Sequence, residues 1–146
     1  MKSNYERIPA GHQCDLGTRQ AEAGARRNDV DRRDCETLLH LSVLTLGEIR
    51  RSVVALPHAR RRARLEAWLE TDLRSRFHGR ILSIDERVAD RWGLLTAQAL
   101  KSGIVLPVID GLLAATALQH NLTFVTRDTG SIAAAGVAVF NPWEKS

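Results

Sequence analysis

Aromatic residues are scarce in this 146-residue sequence: three Trp, three Phe and one Tyr, 5% in all. So few rings do not make a broad base-stacking surface. Cysteine is scarcer still. Cys14 and Cys35 have no metal-type partners near them, which excludes a disulfide scaffold and makes a reduced, cytoplasmic setting the expectation. No apolar run is long enough for a transmembrane helix, so no membrane partner is expected. The opening Met-Lys-Ser-Asn-Tyr-Glu-Arg leads into no apolar stretch of the kind a secretory signal needs. The histidines at 12, 40, 58, 78 and 120 form no i,i+3 or i,i+4 pair, which argues against zinc. Ser42 and Ser131 lack a suitable His partner for nucleophilic catalysis. A glycine-rich phosphate loop is missing too.

What is present suits one globular domain: 44% hydrophobic and 26% charged residues. Their distribution is uneven. Residues 1–36 carry 7 basic and 7 acidic groups, and Ile8, Leu16 and Val30 are their only branched aliphatics. Residues 37–146 hold the whole surplus, 14 basic against 10 acidic, hence the formal +4. Of the 21 basic residues 18 are Arg, a residue that grips phosphate in a bidentate way. The plainer reading of that bias is a solvated surface.

Two segments therefore emerge, a poorly patterned 1–36 and an ordered 37–146. Residues 38–44 are apolar and suit a buried strand. Thr45 and Glu48 have capping-box spacing, predicting a helix over 46–56 that stops before Pro57. Leu65, Trp68, Leu69, Leu73 and Phe77 mark one apolar stripe of a helix over 59–77. That stripe places Trp68 in the core, as another stripe does Trp92. The opposite face of 59–77 is rich in Arg and offers either an RNA contact or a solvated surface. A strand over 81–84 follows, then a helix capped by Asp85 and stopped by Gly103. Asp110 is expected to open a helix over 111–120. Strands over 122–126 and 137–140 flank a turn or short helix. This alternation predicts an α/β fold, a mainly parallel central sheet with helices on both faces. Ligands of such sheets bind beyond the carboxyl ends of the strands.

Three acids fall where that rule places a site. Glu48 follows the first strong strand, Asp110 begins a helix and Asp128 follows the 122–126 strand. Each is also a natural complement to a helix N-terminus. Gathered around one pocket, carboxylates repel unless a cation lies between them. Hard oxygen donors suit Mg²⁺ or Mn²⁺, which can activate water against a phosphodiester.

The stretch Leu41-Ser42-Val43-Leu44-Thr45-Leu46-Gly47-Glu48-Ile49-Arg50-Arg51 resembles the second conserved block of PIN-domain proteins. The likeness is closest to the VapC toxins of type II toxin–antitoxin pairs, in their FitB-like branch. Arg60 to Glu70, Leu106 to Ala117, Val125-Thr126-Arg127-Asp128 and Asn141-Pro142-Trp143 fit the same branch, so the resemblance spans about residues 37–143. It implies a PIN-like α/β sandwich and a Mg²⁺-dependent endoribonuclease that cleaves RNA with metal-activated water. It further implies a homodimer inhibited by a cognate antitoxin. By position, Glu48 and Asp110 match the family's catalytic, metal-holding carboxylates. Asp128 falls where the branch often has Asn, and Ser131 where it often has a further acid. Thr126, Arg127 and Arg50 would lie against the RNA.

The beginning departs from the family. PIN proteins open with an apolar strand ending in Asp-Thr-Asn, whose Asp is the first metal ligand and by spacing falls near position 11. Here Pro9 argues against a strand, Gly11 occupies that place, and Asp15 is the nearest acid. With third bases free, Ile8 to Arg19 can be encoded so that the frame one base later reads Tyr-Leu-Leu-Asp-Thr-Asn-Val-Ile-Ser-Glu-Leu. That is a family-like first strand. The expectation is a degenerate segment, out of frame from about residue 8 to the low thirties, a disrupted first strand and impaired activity. The alternative is a catalytically inactive remnant that only binds an antitoxin or dimerises.

Overall fold

A computed structural model describes residues 7–9, 37–127 and 129–141, with backbone alone at 7–9. The expectations placed on Cys14, Asp15, Cys35, the out-of-frame segment beyond Pro9, Asp128 and Trp143 lie outside these residues.

Strand β1 spans Arg7–Pro9 and strand β2 Leu41–Ser42. The apolar run expected to be one strand over 38–44 divides after Ser42. The Ser42 hydroxyl accepts the Leu44 N–H at 3.2 Å, so helix α1 begins at once and covers Val43–Val54. Thr45, expected as the cap, is instead buried in the first turn.

Helix α2, Ala59–Ala67, runs without a break into a π-helical stretch, Trp68–Leu73, and a last turn, α3, Arg74–Arg76. Leu69, Leu73 and Phe77 are all buried. A strict α-helix carries every fourth residue progressively round its axis; the wider π turn brings these three back to one face. Strand β3, Ile81–Leu82, then pairs parallel to β2.

Helix α4, Glu86–Lys101, starts at Asp85, whose carboxylate accepts the Val88 N–H at 2.9 Å. It ends before Gly103, where φ is +76°. Helix α5 spans Val108–Gln119, three residues earlier than predicted. Pro107 disposes the chain for it, and its carbonyl accepts the Gly111 N–H at 2.8 Å. The two residues His120 and Asn121 connect α5 to β4, Leu122–Val125, with Asn121 at φ 52°. A short helix α6, Gly130–Ala134, crosses to β5, Val139–Phe140, which pairs parallel to β4.

The sheet order is β1-β4-β5, with β2-β3 as a second pair. Two of the three pairings are parallel, and β1 on β4 is the antiparallel exception. The expectation that no strand forms around Pro9 is thus overturned. Pro9 ends a three-residue strand at the edge of its sheet, where a missing N–H is tolerated.

One core cluster joins α4, α5 and β4, with Leu95, Leu113, Ala117 and Phe124 among its members. Alanines 114, 115 and 117 are fully buried, and their small size lets α5 lie close to its neighbours. A second cluster brings Leu41 and Ile81 together with Val125 and Phe140, so both strand pairs face one core. Among the described residues no helix is long and apolar enough to cross a membrane.

Candidate active site

Glu48 lies in the second turn of α1, directly after the carboxyl end of β2. It is half-buried. Its backbone carbonyl accepts the Ser52 hydroxyl at 3.0 Å, which steadies that turn. One turn back on the same side is Thr45, 1% exposed, and its hydroxyl has no hydrogen-bond partner among the described residues.

Asp110 lies in the first turn of α5, also half-buried. Pro107 at its N-cap makes no side-chain hydrogen bond, and Asp110 is the acid of the first turn, beside the helix's positive end. The two-residue link between α5 and β4 makes them run antiparallel. The first turn of α5 is therefore carried to the end of the sheet at which β4 finishes. Thr126 and Arg127 continue from that end. Thr126 is buried and its N–H donates to the Phe140 carbonyl at 3.0 Å, while Arg127 is exposed.

Arg50, expected to lie against the RNA, is half-buried and ion-paired. Its guanidinium pairs with Glu70, which also meets Arg74 at 3.8 Å. Asp128 is outside the described residues. Among those described, no three His, Cys, Asp or Glu side chains gather as a metal cluster. Glu48 and Asp110 are accordingly the two acids of the expected set that the structure places.

Trp68 corrects the sequence reading. It is 37% exposed and lies at the border of the helix's buried face. Its spacing from Leu65 matched the apolar stripe, yet Leu69 beside it takes the inward position. Trp92 does turn inward, with its Nε1 buried and lacking a hydrogen-bond partner among the described residues.

The α/β architecture, with parallel pairs β2–β3 and β4–β5 packed against helices, sets the class. The PIN domain model matches residues 19–137, and the chain belongs to that family, among its VapC/FitB-like toxins. It is 44% identical to Toxin FitB of Neisseria gonorrhoeae over 105 residues, 72% of this chain and 76% of that one. To the VapC ribonuclease Y4jK of Sinorhizobium fredii it is 38% identical over 115 residues, covering 79% and 81%. The crystal structure of FitAcB from Neisseria gonorrhoeae superposes with a TM-score of 0.74 at 37% identity, covering 86% of this chain and 91% of that one. The FitAB complex with an IR36 DNA fragment gives 0.71 at 36% identity, covering 84% and 89%.

Proposed function

We propose that this chain is a divalent-metal-dependent endoribonuclease toxin of the cytoplasm, held in check by a cognate antitoxin and acting as a homodimer. The reading is carried by the pairing of Glu48 and Asp110 with membership of a family whose named members include VapC ribonucleases.

The donor set suits Mg²⁺ or Mn²⁺. Both placed acids offer hard carboxylate oxygens, and such cations commonly bind through one or two carboxylates plus a substrate phosphate. Glu48 and Asp110 would hold the ion, with Asp128 as a third donor. Bound there, it supplies water activation and charge neutralisation at an RNA phosphodiester. The protein's own part is orientation. Ser52 steadies the turn that carries Glu48, and Pro107 fixes the start of the helix that carries Asp110. Thr126 and Arg127 would lie against the RNA, Arg127 as a phosphate partner.

Activity is impaired in this chain, because residues 8–34 are the out-of-frame counterpart of the family's first strand and Asp. The antitoxin reading draws on the similar FitAcB and FitAB structures, the latter a complex bound to DNA.

The test compares the chain, its Asp110→Asn variant and a frame-repaired chain carrying Asp-Thr-Asn, each with RNA and Mn²⁺ or with EDTA. Weak cleavage that EDTA and Asp110→Asn abolish, and that frame repair raises, supports the proposal. Equal inactivity of all three proteins leaves only the binding remnant.

A further inference from the structure

The arginines of residues 50–80 divide into two groups. In the first, each guanidinium already serves the fold. Arg62 donates to the Leu56 carbonyl at 3.1 Å. Arg80 donates to the Leu39 carbonyl at 2.9 Å and lies 4.8 Å over the Phe77 ring. Arg50 and Arg74 share Glu70. In the second group, besides Arg51 on α1, are Arg60, Arg61 and Arg64 together on α2. All three are exposed, and none has an ion-pair or hydrogen-bond partner for its side chain among the described residues.

These three lie on one flank with an exposed ring. Arg60, Arg64 and Trp68 follow at i, i+4 and i+8, so they stack one above another, with Arg61 alongside. The helix is continuous through them, since the Trp68 N–H bonds back to the Arg64 and Leu65 carbonyls. Of the rod's acids, Glu66 and Glu70 project from another flank, and Glu70 is held by Arg50 and Arg74; the exposed Asp72, one turn beyond Trp68, closes the row at the end away from the arginines.

From this we infer that Arg60, Arg61, Arg64 and Trp68 form a contact strip for single-stranded RNA, separate from the carboxylate site. The choice of RNA rests on the ribonuclease reading. Three uncompensated guanidinium groups complement the phosphate backbone, and an exposed indole at the end of the row offers one base a stacking face. A purely acidic peptide would use the charges and leave the ring without a role.

The test uses the full chain in EDTA with a fluorescently labelled, unstructured oligoribonucleotide, its anisotropy read across a salt series. Replacing Arg60, Arg61 and Arg64 together by Gln should weaken binding at least tenfold. It should also flatten the slope of log affinity against log salt by about 2, roughly 0.7 for each phosphate that an arginine no longer neutralises. Trp68→Leu should weaken binding at least fivefold and leave that slope unchanged. Arg87→Gln, on exposed α4, removes a charge outside the strip and should change affinity less than twofold. Thermal melts confirm folding, and Trp68→Leu alone decides the matter if the triple variant does not fold.

Wild-type affinity and slope in the triple variant would overturn the proposal. So would a polyglutamate peptide that binds through the arginines with no dependence on Trp68, which would assign the strip to an acidic protein. The two readings fail separately. Asp110→Asn should lose cleavage and keep RNA binding, whereas strip-dependent binding by a chain that does not cleave RNA even after frame repair would sink the ribonuclease reading alone.

Discussion

Gly111 lies against Trp92 so closely that a Cβ there would stand 3.0 Å from the indole Nε1 and 3.1 Å from Cδ1. The contact is side chain against backbone, and it sets how near α4 and α5 approach. It also fixes the turn that holds Asp110, one residue earlier. Gly111→Ala should therefore destabilise the chain by about 1–3 kcal/mol through overpacking, despite the better helix propensity of Ala. Denaturant unfolding measures it. In a Trp92→Leu background the cost of Gly111→Ala should shrink, and an undiminished cost would show that the indole is not the obstacle.

Ser42 and Thr45 are both buried hydroxyls three residues apart, yet they should respond oppositely to deletion of the hydroxyl. Ser42 caps α1, so Ser42→Ala should cost about 1 kcal/mol. The Thr45 hydroxyl has no partner among the described residues, so Thr45→Val keeps the shape and drops an unsatisfied group. That change should be neutral or stabilising by up to about 1 kcal/mol. Melting curves of the two variants settle the contrast.

This pair also shows where sequence reading stops. Both residues make good caps, and spacing favoured Thr45 because Glu48 follows it by three. Burial does not separate them, since both are enclosed; the backbone does, because the chain is still extended at Ser42 (φ −88°, ψ 149°) and already helical at Thr45. The start of α5 escaped for a similar reason, since Pro107 serves through a backbone carbonyl that no side-chain pattern reveals. Asp85, Gly103 and β4 were legible because each depends on local chemistry: a cap, a positive φ and a short apolar run. Strand β1 was not, because its pairing with β4 spans more than a hundred residues of sequence. Within the candidate site, Glu48 and Asp110 could be read as acids on helices beyond strands. The engagement of Arg50 by Glu70 could not, as it joins two different helical segments.

The shared ion pairs of Glu70 should contribute little to stability. The side chains of Arg50, Glu70 and Arg74 are 38%, 53% and 49% exposed, so solvent and salt screen them. Glu70→Gln should change unfolding free energy by less than about 1 kcal/mol, with the difference vanishing in high salt. A larger, salt-insensitive loss would contradict this.

Phe124 is the opposite case. It is fully buried in β4 and belongs to the cluster that joins α4, α5 and that strand. Phe124→Ala should cost about 3–5 kcal/mol, a large share of the 5–15 kcal/mol typical of a domain. Proteolytic susceptibility and loss of cooperative melting are the signals to follow.

Strand β4 has β1 along one edge and β5 along the other. Its Leu-Thr-Phe-Val run is short, apolar and β-prone, the kind of segment that recruits foreign strands when an edge lies bare. The three residues of β1 thus act as a guard rail whatever they fail to supply as chemistry. Their polarity relative to β4 is reversed, so a parallel strand arriving at that edge must first displace them.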